Sequence, residues 1–247
     1  MPVLNRPDGT IHYQEYGSGF PILLFAPGGL RSRMDMWPSP PGGPARSWND
    51  WTQALADKYR VIAMDQRNAG ASRTAIDADH GWHTYAADHL ALMDHLGIGR
   101  FHTLGGCIGG SFCLKLAEAA PDRVVAQVLQ NPIGFEPQHP GYFPNSHIEW
   151  SREQKAARPE LSDAALVQFG RNMWGPPFVF SVTRAFAAQC RTPSLLLSGD
   201  DIPHPACTSL ELAHLLPDVE VVYPWKGPAH LDTQLQAVRD FLARHTP

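Results

Sequence analysis

What this 247-residue chain lacks narrows its possibilities first. No apolar run approaches the ~18 residues that a membrane-spanning helix requires. No block of like charges interrupts a formal net charge of −4, so neither a nucleic-acid nor a membrane-surface partner is expected. Cysteines are few: Cys107, Cys113, Cys190 and Cys207 form no CxxC pair and match no zinc spacing. A disulfide framework or structural metal is therefore not expected. The opening residues Met1-Pro2-Val3-Leu4-Asn5-Arg6 show no basic-then-apolar signal pattern. Together these features predict a reduced, cytoplasmic protein. There is no internal repeat and no low-complexity segment, and no feature sets an oligomeric state.

What remains is an ordinary globular balance, 43% hydrophobic and 18% charged, in a chain long enough for one large domain. Short apolar runs alternate with amphipathic stretches. Residues 11–16 alternate after the Asp8-Gly9 turn and predict an edge strand. Residues 21–26, 60–64, 124–129 and 194–197 are almost wholly apolar, as strands covered on both faces must be. Residues 101–104 and 219–223 are shorter candidates. A helix is expected from an N-cap at Thr84, with Ala86, Leu90 and Met93 on one face and Gly97 as its stop. A final helix places Leu231, Leu235, Val238 and Phe241 or Leu242 on one stripe. Alternating signals of this kind predict an α/β protein with a mostly parallel, doubly wound sheet. Residues 36–47 read as a loop. Residues 134–190 contain no convincing strand but carry helical patterns near 151–158 and 162–173. The predicted organisation is a core of residues 1–133 and 191–247 with a small helical cap, residues 134–190, inserted between two strands.

One motif decides the chemistry. Leu104-Gly105-Gly106-Cys107-Ile108-Gly109-Gly110-Ser111 lies between a strand and a helix, in the pattern G-x-S-x-G with Cys in the Ser position. A sharp strand-to-helix turn holds its nucleophile in a strained backbone conformation, and its neighbours must lack side chains so that backbones can approach. Gly105, Gly109 and Gly110 meet that need. The helix starting after Cys107 favours a thiolate through its N-terminal dipole. Two further landmarks follow the same order as in a known family. Asp65-Gln66-Arg67-Asn68-Ala69-Gly70-Ala71-Ser72 resembles a D-x-R-G-x-G-x-S loop, and Ala26-Pro27-Gly28-Gly29 stands where relatives carry His-Gly-x-Pro-Gly. On these residues the chain resembles the α/β-hydrolase fold superfamily over nearly its whole length. A cysteine nucleophile on this fold is similar to that of the dienelactone hydrolases.

The resemblance implies the chain order nucleophile, acid, histidine. The strand 194–197 ends in Ser198-Gly199-Asp200-Asp201. The family spacing G-x-x-D falls on Ile202, so the expected acid is Asp201, with Asp200 as the alternative. An acid from the preceding strand end would fall on Asn131 or Glu136. The expected base is His230, just before the last helix, and His204 in Pro203-His204-Pro205 is its rival among 12 histidines. The expected oxyanion donors are the backbone N–H groups of Ile108 and Gly29, with Leu30 as a further candidate. Pro27 replaces the family histidine, which leaves the register of that loop open.

These assignments predict a hydrolase of a carboxylic ester, lactone or thioester through a Cys-His-Asp triad, with no metal or organic cofactor. An acyltransferase would use the same site, and a non-catalytic ligand-binding protein on this fold is the third alternative. A dehalogenase would want Asp at position 107. Phe143, Trp174 and Phe178, with Trp150, Met173 and Phe180 nearby, would line a pocket for an apolar or aromatic acyl compound, or would simply pack the cap onto the sheet.

Overall fold

The computed structural model describes residues 1–247. Nine strands form one sheet: β1 (Val3–Arg6), β2 (Gly9–Tyr16), β3 (Phe20–Phe25), β4 (Tyr59–Met64), β5 (Arg73–Thr74), β6 (Phe101–Gly106), β7 (Val124–Gln130), β8 (Ser194–Leu197) and β9 (Val219–Val222). Their order is β1-β2-β4-β3-β6-β7-β8-β9, with β5 paired to β2. β1, β2 and β4 pair antiparallel, whereas β4, β3, β6, β7, β8 and β9 pair parallel in that order. The strand expected at an edge, β2, is an inner one: β1 pairs with one side of it, while β4 and the short β5 pair with the other. Its alternation reflects one well-covered face rather than an exposed edge.

The apolar runs are strands because both faces of the sheet are covered. Leu23, Phe25, Leu129 and Leu196 enter one core with α2 (Trp82–His95) and α3 (Ile108–Ala119). Ile22, Leu24, Leu104, Val128, Leu195 and Leu197 enter the other with α1 (Trp51–Ala54), α8 (Leu231–His245), Trp37 and Trp225. Thr84 is not the cap of α2. The helix begins at Trp82 after Gly81, and the Thr84 hydroxyl accepts the Gly81 N–H at 3.0 Å. Gly97 closes it at φ +69°, where the Ile98 N–H returns to the Met93 carbonyl.

Between β7 and β8 the chain forms α4 (Tyr142–Ala157), α5 (Asp163–Trp174) and the short α6 (Arg184–Ala187), with no strand. α7 (Ala206–Leu215) then joins β8 to β9. Phe143, Trp150, Phe169, Met173 and Trp174 of this insertion share the core of α2 and α3. Polar contacts tie it down as well. Arg31 donates two 2.8 Å bonds to Glu153, and Trp82 donates its indole N–H to the Met173 carbonyl.

The loop 65–72 is a structural latch. Asp65 accepts the Met34 and Ala71 N–H groups through its two carboxylate oxygens, at 3.0 and 2.8 Å. Any side chain at Gly70 would strike that carboxylate, 2.2 Å from an added Cβ. Arg67 and Asp88 are buried and joined at 2.8 Å, and Arg6 reaches the other oxygen of Asp88 at 3.0 Å. Arg67 also reaches the partly exposed Asp8 at 3.3 Å, so removing Asp88 leaves a buried charge with only this weaker partner. Asp88→Ala is therefore expected to cost about 3–5 kcal/mol of stability, read as a lowered midpoint in urea or thermal unfolding. A loss below about 1 kcal/mol would show that Asp8 or water compensates Arg67.

Candidate active site

β6 ends at Gly106 and α3 starts at Ile108, so Cys107 alone makes the turn. Its backbone sits at φ 60°, ψ −120°, a strained region for a residue with a side chain. The surroundings enforce that strain. An added Cβ on Gly105 would lie 2.1 Å from the Gly109 carbonyl, and one on Gly109 would lie 2.3 Å from the Phe25 carbonyl oxygen. The Cys107 N–H donates to the Gln130 carbonyl of β7 at 3.0 Å, and its own carbonyl accepts from Gly110. The thiol is thereby presented beyond the strand ends, and the residue is partly accessible.

The imidazole brought to the sulfur is that of His204, not His230. Asp201 and His204 form a turn in which each backbone N–H donates to the other's carbonyl, at 3.3 and 3.0 Å. His204 Nδ1 lies 2.5 Å from Asp201 Oδ1. Its Nε2 is buried and makes no hydrogen bond, and the ring lies near enough to Cys107 for each group to stabilise the charge of the other. Such contacts in an unliganded site are commonly long or poorly aligned. His230 instead ends the short 3-10 turn Pro228–His230 before α8, and its side chain makes none of the hydrogen bonds or ion pairs of the structure. The position expected from the resemblance is thus filled, but the sequence signal for the base lay closer to the acid. Asp201-Ile202-Pro203-His204 is an i, i+3 turn with proline on both sides of the histidine. Gly199 permits it: an added Cβ there would lie 2.4 Å from the His204 carbonyl oxygen.

The electrostatics are those of a mutually stabilising pair. Burial alone would push the Cys107 thiol up, but His204 and the N–H groups of Gly28 and Ile108 outweigh it, and the net direction is down. Burial opposes the His204 imidazolium, and Cys107 and Asp201 outweigh it, so its net direction is up. Asp201 is likewise desolvated, yet His204 and Lys226 hold its carboxyl low. Of the expected oxyanion donors, Ile108 faces the sulfur. The other N–H near the sulfur is that of Gly28, whereas Gly29 opens the 3-10 turn Gly29–Arg31.

The other candidates separate cleanly. Asp200 is exposed and binds Lys226 instead of an imidazole. Asn131 follows β7 at φ 51°, and its buried Oδ1 has no partner. Glu136 accepts only the Gln138 N–H. Leu30 is buried within the 3-10 turn. Phe143 stacks on Trp174 at 4.9 Å, with Phe180 edge-on to both, and Phe178 is buried. These aromatics belong to the core against which Cys107 packs. Cavities of about 400–540 Å³ open elsewhere, none of them lined by Cys107. No group of three or more His, Cys, Asp or Glu side chains is placed to hold a metal ion. No helix is long and apolar enough to cross a membrane.

Comparison with known proteins agrees with this architecture. The chain is 27% identical over 267 aligned residues to the "Putative carbamate hydrolase RutD" of Variovorax paradoxus, covering 95% of this chain and 96% of that protein. The protein of the same name from Azorhizobium caulinodans is 33% identical over 132 residues, a match spanning 53% of this chain but only 44% of that protein. Among solved structures, the enol-lactonase of Burkholderia xenovorans superposes with a TM-score of 0.68 at 20% identity, covering 98% of this chain and 100% of the other. A meta-cleavage product hydrolase of Pseudomonas fluorescens does so with the same score and identity over 96% of both chains. At that identity the structural likeness speaks to the fold alone. With residues 21–171 matching the family model described as alpha/beta hydrolase fold, more than half of its length, the chain belongs to the α/β-hydrolase fold family.

Proposed function

We propose that the protein is a hydrolase of carboxylic ester, lactone or thioester bonds that works through Cys107, His204 and Asp201. The observation that carries this reading is the placement of a partly accessible thiol, at the tip of a strained turn, against an imidazole whose far nitrogen is held by a carboxylate. A protein that only bound a ligand would have no need of all three. The hydrolase names of its relatives, among them a carbamate hydrolase and an enol-lactonase, support the general class.

In this reading His204 holds the proton given up by Cys107, leaving a thiolate beside an imidazolium. The sulfur forms a bond to the substrate carbonyl carbon, and the carbonyl π electrons move onto oxygen. The N–H groups of Ile108 and Gly28, which face the sulfur, lie close to where that charge develops. Collapse breaks the bond to the leaving group, which takes the proton from His204 Nε2. Water then gives a proton to His204 as its oxygen attacks the thioester, and the carboxylic acid departs as Cys107 is regenerated. Asp201 keeps Nδ1 protonated and Nε2 directed at the reacting atoms throughout. An added alcohol or amine in place of water would make the same site an acyltransferase. The helical insertion acts as a cap in this reading, and its aromatics bound an apolar or aromatic acyl group.

Two measurements bear on this reading. Alkylation of Cys107 by iodoacetamide should follow the thiolate. With the thiol lowered by its pairing, the rate should rise at a pH below the ~8.5 midpoint of a free cysteine. Loss of the pair in His204→Ala should move the midpoint above that of the native protein and slow labelling at neutral pH by about tenfold or more. His230→Ala should leave the rate unchanged; the reverse pattern would return the role of base to His230. On a panel of activated esters, lactones and thioesters, Cys107→Ala should abolish turnover, and Asp201→Asn should lower kcat by about 10²–10⁴. Cys107→Ser should not restore native activity, because the site is built around the larger sulfur. Unchanged turnover in Cys107→Ala would remove it as the nucleophile.

A further inference from the structure

The loop after β9, where the resemblance expects the catalytic base, delivers a cation to the acid instead. Lys226 Nζ lies 3.1 Å from Asp201 Oδ2, the oxygen that His204 does not use, and it binds Asp200 Oδ1 as well. Three things hold it there. Its ammonium lies 5.6 Å from the Trp225 ring centroid, the Trp225 indole N–H donates to the Ser198 carbonyl at 2.7 Å, and the Gly227 N–H donates to Ser47 at 2.9 Å. The side chain is only 24% exposed, less than either carboxylate.

We propose that Lys226 is a positioning residue: by occupying one oxygen of Asp201 and cancelling part of its charge, it sets how strongly Asp201 grips His204 and at which pH the Cys107–His204 pair gains and loses its protons. This rests on the triad reading above. The geometry divides the carboxylate between two partners, Oδ1 to the imidazole and Oδ2 to the ammonium. A carboxylate so divided can rotate less, which keeps Oδ1 on Nδ1. It also presents less net charge to the imidazolium than an unshared one. The charged and titratable groups that converge on this cluster are Asp200, Asp201 and His204 from the loop after β8, Lys226 from the loop after β9, Cys107 from the elbow, and Tyr142 at the start of α4. The Tyr142 phenol feels both Cys107 and Asp201.

The sign of the effect follows from charge. Removing the cation leaves two carboxylates uncancelled beside the pair, so each proton is held more tightly. Thiolate formation and imidazolium deprotonation should both move to higher pH. Removing Asp200 alone leaves Lys226 with one carboxylate to neutralise, and both should move to lower pH. The groups are partly solvated, so shifts of about 0.5–1 pH unit are expected rather than several.

The test is pH titration of the Cys107 thiolate by ultraviolet absorbance, with Cys107→Ala as the blank, on the native protein and on Lys226→Met, Lys226→Arg and Asp200→Asn. The proposal expects an upward shift in Lys226→Met, little shift in Lys226→Arg, and a downward shift in Asp200→Asn. A lysine that merely braced the loop would lower thermal stability and turnover in Lys226→Met without moving either midpoint. Unmoved midpoints in a folded Lys226→Met therefore overturn the proposal. Should that variant not fold, an unmoved or upward midpoint in Asp200→Asn overturns it instead. Absence of any Cys107-dependent thiolate signal in the native protein is a different outcome: it overturns the triad reading, and this proposal with it.

Discussion

The structure turns on a backbone crossing with no room for side chains. β6, the elbow and α3 pack so closely that Gly105 meets the backbone of Gly109, and Gly109 meets the Phe25 carbonyl of β3. Three elements, a central strand, a buried helix and the strand beside them, are locked at one point. The compensation for the strain at Cys107 is the burial of α3, in which Ile108, Phe112, Leu114 and Leu116 are enclosed by the sheet, α2 and the helical insertion. A turn that was free to relax would not keep a thiol beyond the strand ends. The same crossing aims the Ile108 N–H back at the sulfur, so the strain and the electrostatics of the site have one origin.

Charge at the site is balanced through a chain of partners. The sulfur is paired with an imidazole, the imidazole with Asp201, and Asp201 with a half-buried lysine. Desolvation opposes the charged form of Cys107, His204 and Asp201 alike, and in each case the neighbour reverses it. Elsewhere the protein meets burial differently. His89, with only Gln66 as a hydrogen-bond partner and Arg67 as a repulsive neighbour, is pushed down to about 3, and the Cys113 thiol is pushed up to about 12. The contrast between Cys107 and Cys113, six positions apart on one strand–helix unit, isolates the contribution of the partner. Both are desolvated, and only one has a cation to answer it.

The legible parts of the sequence were those in which composition and local geometry coincide. Doubly covered strands read as apolar runs, and the elbow read from its glycines, because each requirement acts on the residue itself. The inner position of β2 was hidden, since its one-sided alternation looks the same whether or not β1 adds to its far side. That His204, and not His230, lies against the acid was hidden for a related reason. Position before the last helix is a rule about order, and His230 satisfies it, but a catalytic pair is a matter of distance. The turn Asp201–His204 brings acid and imidazole together within four residues, and its signal, a D-x-P-H-P run, was present in the sequence. The register of the oxyanion loop, Gly28 rather than Gly29, was not. It depends on Pro27 and on a glycine at φ 123° packed against the Met36 sulfur, a tertiary contact with no local mark.

Placing acid and base on one loop changes what the sheet must do. In the order expected from the resemblance, three strand ends hold three catalytic groups, and any slip between strands disturbs two of the spacings. Here the Asp201–His204 spacing is set within a single turn, and only the distance from that turn to Cys107 depends on the sheet. A row of hydrogen bonds across the strand ends fixes it: Cys107 N–H to the Gln130 carbonyl, Asn131 N–H to Leu197, Ser198 N–H to Val222, and Trp225 indole to Ser198. The row crosses β6, β7, β8 and β9 in turn and ends beside Lys226. The sulfur, the acid–base turn and the lysine are thereby held on one rigid edge. In the proposed reading the last loop contributes the charge of Lys226 where the resemblance expects a proton carrier.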